Sequence, residues 1–298
     1  MNSIIDVIKK YGDVKENYSL KKLTSLKIGG TVRYLVYPYS FFTLDLLIVY
    51  LKNNNIEYKI FGKGTNILCG DKEFNGCIIK FDHHFINYYI EDDYLFAESG
   101  CSLISLAYEC SKLGLSGLEF ASGIPGTIGG SLFMNAGAYN QSMSDIVESV
   151  LVYYNRQYQW LDKNNLNFSY RQSIFFENRE LIILGCKIKL KYSDPNKLIE
   201  LISQRRQRRL DTQPLNKLSA GSVFRNTKDK QAWQLIDELK LRGYKVGGAM
   251  VSSKHTNFII NNKDACAEDF LSITNKIQKE VKKAYNIDLI MEVEKFNC

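Results

Sequence analysis

Three residues carry side chains whose types and settings could do chemistry. Ser222 lies in Ala220-Gly221-Ser222-Val223-Phe224-Arg225-Asn226, shortly after Gln213-Pro214. Two small residues ahead of a serine in an apolar frame can expose a hydroxyl in a cleft, although the local pattern alone favours a turn serine. Arg171, in Tyr170-Arg171-Gln172-Ser173-Ile174-Phe175, suits either an anion contact or a structural ion pair. Glu292 is an acid inside Leu289-Ile290-Met291-Glu292-Val293. It marks either the wet face of a strand or a carboxyl group buried with a purpose. Of the three histidines, His83, His84 and His255, none pairs at metal-ligand spacing, and neither HExxH nor GxSxG occurs. No metal site is expected. His255 fits a ligand contact and a structural role equally.

Two glycine-bearing segments could hold a ligand by main chain. Gly62-Lys63-Gly64-Thr65-Asn66 follows the strand-like run Tyr58 to Phe61. Ile67 occupies the third glycine position of a dinucleotide fingerprint, so that motif fails, and no GxxxxGK[ST] is present. Such a turn either directs consecutive amides at a phosphate or is a plain β-turn. The second segment runs from Ser122-Gly123-Ile124-Pro125-Gly126-Thr127-Ile128-Gly129-Gly130 to Met134-Asn135-Ala136-Gly137-Ala138-Tyr139. Glycines among apolar residues let backbone approach a flat ligand or a pyrophosphate, or pack a helix tightly on a sheet. Two such segments near each other favour a dinucleotide held outside the Rossmann pattern.

The surrounding pattern predicts the elements that must position these groups. Thr31 to Tyr37, Cys77 to Phe81 and Tyr94 to Glu98 read as strands. Cys186, Ile188 and Leu190 alternate with Lys187, Lys189 and Lys191, a strand with one buried and one wet face. Leu103, Leu106, Ala107 and Cys110 follow Ser102 at helical spacing, with Gly114 as the stop. Ala232, Leu235, Ile236 and Leu239 repeat that spacing ahead of Gly243, and a further helix covers roughly 267–285. The class is α+β, and Pro195 and Pro214 bracket a junction between a mixed first lobe and a smaller second one.

The chain has 298 residues, 45% apolar and 24% charged, enough for two or three lobes enclosing a large cofactor. The net charge is +7, and Arg205, Arg206, Arg208 and Arg209 cluster. That cluster reads first as a solvated helix face and second as an attractor of a phosphorylated ligand or nucleic acid. The seven cysteines are irregularly spaced without CxxC, and residues 1–10 lack a signal-peptide core. Reduced thiols in a cytosolic protein are expected, with no membrane insertion. The longest apolar run, Phe41 to Leu51, is interrupted by Asp45 and too short to span a bilayer.

Taken in order, Thr24 to Gly30, Gly62 to Asn66, Gly123 to Tyr139, Tyr170 to Phe175, Gln213-Pro214 with Ala220 to Asn226, Gly247 to Asn261, and Glu292-Val293 resemble the UDP-N-acetylenolpyruvoylglucosamine reductase family, the MurB family. Each piece is weak, but the ordered set spans nearly the whole chain. Gly247-Gly248-Ala249-Met250-Val251-Ser252 through Asn261 is similar to the shorter, type II branch, which lacks a tyrosine-bearing loop over the substrate. Thr65 replaces the more usual serine, and Ile290-Met291 replaces Glu-Pro ahead of the glutamate.

The resemblance implies an FAD-binding unit of the vanillyl-alcohol-oxidase (PCMH) type over residues 1–195, with subdomains at about 1–75 and 76–195. A C-terminal α+β substrate lobe over 196–298 would return its last residues to the active site. It implies FAD, held without a covalent bond by Gly62, Lys63, Gly64, Thr65 and Asn66 near the pyrophosphate. Gly123, Ile124, Pro125, Gly126, Thr127, Gly129, Gly130, Asn135, Gly137 and Ala138 would lie near the flavin ring. NADPH would reduce the flavin, and an enolpyruvyl ether on a UDP-sugar would then be reduced. Arg171, Ser222 and Glu292 take the catalytic roles, and Tyr170, Arg225 and Asn226 look like substrate contacts. The oligomeric state is left open. The rivals are a sugar or alcohol oxidase of the same fold, whose flavin is often tethered to histidine or cysteine, and a basic nucleic-acid-binding protein, for which no recognition motif is visible.

Overall fold

The computed structural model describes residues 3–298. The chain forms two compact units, each gathered from separated segments. The first takes residues up to Glu16, Tyr34–Lys63 and Gly76–Gln207; the second takes Asn17–Arg33, Gly64–Asn75 and Arg208–Cys298. The boundary expected between residues 195 and 196 falls at the start of the helix Pro195–Thr212, and the units part within that helix. Pro195 suits a helix start because its missing N–H has no intrahelical partner there.

A four-stranded sheet lies largely in the first unit, ordered Gly12–Ser19, Thr31–Pro38, Phe74–Lys80, Tyr58–Phe61. The last two run parallel, with Phe61 opposite Lys80. The helix Phe41–Asn53 starts on a reciprocal cap, in which the Thr43 amide donates to Ser40 Oγ and the Ser40 amide to Thr43 Oγ1. Its Leu44, Leu47, Ile48 and Leu51 are buried with Val36, Cys77 and Ile79, each large aliphatic contributing about 1.5–3 kcal/mol.

The same unit holds an antiparallel five-stranded sheet, ordered Gln157–Asp162, Val147–Tyr154, Ile182–Lys189, Tyr94–Glu98, Tyr88–Glu91. Its alternation is as expected: Cys186 and Ile188 are buried, while Lys187 and Lys189 lie 4.0 and 3.9 Å from the Tyr94 ring centre. The helix Leu103–Lys112 opens on Ser102, whose Oγ accepts the Ser105 amide. Leu103, Leu106, Ala107 and Cys110 pack into the core beneath the sheet, and Gly114 ends the turn in the left-handed region. The short helix Ile128–Phe133 belongs to this core and carries part of the second glycine segment.

The second unit has an antiparallel sheet ordered Leu218–Ser219, Ile259–Asn261, Ala249–Val251, Lys245–Val246, covered by the helices Ala232–Glu238 and Ala267–Tyr285. Phe270, Ile273, Ile277 and Val281 form the buried stripe of the longer helix. Glu294–Phe296 pairs in parallel with Ile67–Cys69, the strand directly after Asn66. Among the described residues no helix is long and apolar enough to cross a membrane, and no His, Cys, Asp and Glu cluster could hold a metal.

Candidate active site

Within the first unit the two glycine segments meet. A Cβ placed on Gly62 would lie 3.0 Å from Thr127 Oγ1 and 3.6 Å from the Gly130 Cα, so the packing there is tight for anything larger than glycine. Gly129 is also packed, its amide bonded to the Ser99 carbonyl at 2.8 Å and its Cβ position 3.0 Å from Ser99 Cβ. Gly126 and Gly130 differ. A Cβ at either would meet one hydroxyl at 3.5 Å, an ordinary contact, so the protein's own packing leaves room for a methyl group at both. Residues 123–126, 129–130 and 136–139 stay partly or fully exposed, while Thr127, Ile128, Ser131 and Leu132 are buried. The segment therefore presents a main-chain wall with space in front of it. Partly exposed main chain with room for a methyl group is compatible with the close backbone approach that a flat ligand such as a flavin requires.

Arg171 is set by that wall. Ser169 and Gln172 exchange both backbone hydrogen bonds, which leaves Tyr170 and Arg171 as the tip of a two-residue turn. Arg171 has φ +57°, a left-handed conformation unusual outside glycine and costing about 1–2 kcal/mol. The surroundings hold it there. Asn135, buried, donates from Nδ2 to the Ser169 carbonyl at 2.8 Å and accepts the Ser144 amide at 3.0 Å. Ser173 Oγ donates to the Phe133 carbonyl at 2.6 Å. The guanidinium donates to the Gly137 carbonyl at 2.8 Å and lies over the half-exposed Tyr170 ring. Gly137 and Ala138 pair with Ser142 and Gln141 across Tyr139 and Asn140, both of positive φ, a tight hairpin that fixes this carbonyl. Two expected cofactor contacts, Asn135 and Gly137, are thus also what aims Arg171. Arg205 covers the Tyr139 ring at 4.5 Å, with Nη1 buried and without a hydrogen-bond partner, whereas Arg206 and Arg208 are exposed.

The second unit brings Ser222 and Glu292 onto adjoining backbone. The Glu292 amide donates to the Val223 carbonyl at 2.7 Å, the Arg225 amide to the Ile290 carbonyl at 2.9 Å, and Phe224 bridges Met291. Gly221 supplies φ +77° just before Ser222. Asn257, buried, clasps both sides of the Phe224 backbone: its Oδ1 accepts the amide at 2.9 Å and its Nδ2 donates to the carbonyl at 2.8 Å. Gly64 to Asn66 belongs to the same assembly. The Ser25 amide donates to the Gly64 carbonyl, and Asn66 Nδ2 donates to the Glu292 carbonyl at 3.1 Å. Ser222, Thr65 and Glu292 are all half-buried. Arg225 keeps a buried Nε without a partner, and Asn226 Oδ1 accepts the Ala232 amide, capping a helix.

Sequence reasoning missed Asn257 and Lys80. Asn257 is a polar residue directly ahead of the apolar run Phe258-Ile259-Ile260, a signal that its buried amide satisfies backbone groups. Lys80, only 4% exposed, donates from Nζ to the Gly62 carbonyl. His83 stacks on Tyr37 and His84 pairs with Asp13, while His255 packs on Phe258 with its Nδ1 buried and without a hydrogen-bond partner. Cys69 and Cys77 are buried thiols, and desolvation raises the Cys69 pKa to about 12 and that of Cys77 further still. Such thiols are not nucleophiles at neutral pH.

A sequence model described as the UDP-N-acetylenolpyruvoylglucosamine reductase C-terminal domain matches residues 213–296, and one described as an FAD binding domain matches residues 32–156. The UDP-N-acetylenolpyruvoylglucosamine reductase of Bacillus pumilus is 38% identical over 284 residues, covering 95% of this chain and 94% of that protein. The crystal structure of the Thermus caldophilus reductase superposes with a TM-score of 0.83 at 29% identity, covering 96% of this chain and 98% of that one. A grass pollen allergen with glucose dehydrogenase activity, Phl p 4, shares only the fold, with a TM-score of 0.51 at 13% identity over 65% of this chain and 45% of its own. An FAD-binding domain, a reductase C-terminal domain and similarity along almost the entire length together show that this chain belongs to the UDP-N-acetylenolpyruvoylglucosamine reductase family.

Proposed function

We propose that this protein reduces the enolpyruvyl ether of UDP-N-acetyl-3-O-(1-carboxyvinyl)-glucosamine to UDP-N-acetylmuramate, with electrons from NADPH passed through FAD, as a step of peptidoglycan precursor synthesis in the bacterial cytoplasm. The observation that carries this reading is the reductase C-terminal domain over 213–296, which contains Ser222 and Glu292 on hydrogen-bonded, adjoining backbone.

FAD is held without a covalent bond in this reading; the protonated, buried state of Cys69 and Cys77 and the absence of histidine from both glycine segments support that. Gly62 to Asn66 bind the pyrophosphate, and the open wall at Gly126 and Gly130 receives the flavin ring, flanked by Gly123 to Thr127 and Gly137-Ala138. The chemistry that the flavin supplies when bound is hydride transfer, accepted from NADPH and delivered to the β-carbon of the enolpyruvyl group. Charge then develops on the α-carbon and its carboxylate. Arg171 pairs with that carboxylate through its planar fork, pre-aimed by the Gly137 carbonyl. Ser222 gives its hydroxyl proton to the α-carbon. Glu292, on the neighbouring backbone, assists by hydrogen bonding. Tyr170, Arg225 and Asn226 contact the UDP-sugar; the unpartnered, buried Arg225 Nε supports an anionic ligand there.

The test is anaerobic. The yellow protein is bleached with NADPH, and enolpyruvyl-UDP-N-acetylglucosamine is then added. Return of the oxidised spectrum with formation of UDP-N-acetylmuramate is expected. A protein that NADPH bleaches but this substrate fails to reoxidise has another acceptor.

A further inference from the structure

We propose that Lys80 is a positioning residue for the cofactor's pyrophosphate: its buried ammonium draws the Gly62 carbonyl inward, turns the Lys63 amide the opposite way to receive the anion, and adds a fixed positive charge at that cradle. This deepens the reading of Gly62 to Asn66 as the pyrophosphate site and rests on it.

Lys80 ends the central strand Phe74–Lys80, following Ile78 and Ile79, which are fully buried. Desolvating an ammonium costs several kcal/mol, and an apolar side chain of similar volume would fill the same space without that penalty. The charge therefore calls for a reason beyond packing. Its contacts supply one. Nζ donates to the Gly62 carbonyl at 2.5 Å and lies 3.3 Å from Asp82 Oδ2, whose side chain is 30% exposed. In a trans peptide the carbonyl and the following N–H point in opposite directions. Holding the Gly62 oxygen against Lys80 thus directs the Lys63 N–H away from it, and among the described residues that N–H meets no acceptor. Gly62 is also where the first glycine segment touches Thr127 and Gly130 of the second. An ammonium at this junction serves a loop built to face an anion. Burial holds the Lys80 pKa below the usual lysine range; Asp82 opposes that shift and Lys63 adds to it, so a bound polyphosphate would relieve the charge imbalance.

The rival account is a structural Lys80–Asp82 ion pair, and charge arithmetic separates the two. FAD is stripped from the purified protein, and FAD and ADP affinities are measured by flavin fluorescence and competition, with melting of each apo-protein alongside. ADP reports on the pyrophosphate cradle without the flavin ring. Lys80→Met is expected to weaken FAD and ADP together by about tenfold or more, the scale of one charge-assisted hydrogen bond. Asp82→Asn keeps the shape and removes the neutralising charge, so FAD affinity should hold or tighten, an arm that stands even if Lys80→Met does not fold. Equal weakening by Asp82→Asn and Lys80→Met, or a folded Lys80→Met protein with wild-type FAD affinity, overturns the role of Lys80. Lys63→Glu tests the underlying reading. If it weakens FAD while Lys80→Met does not, only the Lys80 role falls. If neither variant alters FAD affinity, the pyrophosphate lies elsewhere and both fall.

Discussion

The segments Gly123–Tyr139 and Ala220–Asn226 are both glycine-bearing and partly exposed, yet they are built differently. In the first, Gly126 and Gly130 each leave room for a methyl group, with one hydroxyl at 3.5 Å, and Thr127 and Ile128 between them are buried. In the second, the backbone is clasped on both sides, by Asn257 at Phe224 and by Glu292 at Val223, and the glycine supplies a corner rather than a gap. The difference follows from what each must present. A surface that receives a large planar ligand offers main chain and leaves room. A loop proposed to present the Ser222 hydroxyl needs a fixed backbone, and buried hydrogen bonds at Val223 and Phe224 hold it. The turn at Arg171 combines the two, a side chain proposed to bind the substrate carboxylate at a left-handed corner, clasped by Asn135 and bonded to the Gly137 carbonyl.

The largest expected effect tests the clasped loop at its proposed proton donor. Ser222→Ala should leave flavin reduction by NADPH at wild-type rate and slow reoxidation by the enolpyruvyl substrate about 100- to 10,000-fold, the range for lost general-acid help. Stopped-flow traces with both half-reactions slowed alike would make Ser222 a binding or structural residue. Next comes the clasp. Asn257→Ala strands a buried amide and a buried carbonyl of Phe224, at about 1–3 kcal/mol each. Urea unfolding should show a loss of roughly 2–6 kcal/mol. A loss under 1 kcal/mol would mean that water or a relaxed loop replaces the asparagine. Smaller again, Arg171→Lys keeps the charge but not the fork, and kcat/KM should fall by about one to two orders of magnitude, on the scale of a charged hydrogen bond. Near-normal kcat/KM would make the arginine a structural partner of Gly137.

Much of the frame was legible because its signals are local. Ser102 caps its helix, Tyr94–Glu98 is a strand over the expected residues, and Ala267–Tyr285 is the helix its periodicity describes. The strand read as starting at Cys77 begins at Phe74, because pairing with neighbouring strands extends it beyond its apolar run. The glycine segments and Ser222 were visible as patterns, and the order of those patterns along the chain carried the family resemblance. What stayed hidden depends on partners distant in sequence. Lys80 carries no sign of a site in the run Cys77 to Phe81; the parallel pairing with Phe61 brings it to the Gly62 carbonyl. Asn257 acts on a backbone 33 residues away. The second unit gathers Asn17–Arg33 and Gly64–Asn75 with the C-terminal third, and no shift in composition marks those borders.

The smallest effect is the sharpest probe of the open wall, because it asks two neighbouring glycines to respond with opposite signs. Gly129 and Gly130 share the helix Ile128–Phe133, so replacing either by alanine gains helix propensity of up to about 1 kcal/mol. At Gly129 the new methyl group would lie 3.0 Å from Ser99 Cβ and 3.3 Å from the Ser99 carbonyl, in a contact fixed by a backbone hydrogen bond. Overpacking there costs about 1–3 kcal/mol, more than the gain. At Gly130 the nearest atom is Thr127 Oγ1 at 3.5 Å, and the gain stands. Melting of the FAD-free proteins should therefore rank Gly130→Ala at or above wild type and Gly129→Ala below it. FAD titration should reverse the meaning of that ranking, because the methyl group at 130 occupies the room in front of the wall. Gly130→Ala would then be the more stable protein and the weaker flavin binder. A Gly130→Ala protein that gains stability and binds FAD as tightly as wild type would show that the space in front of residue 130 is not where the cofactor lies.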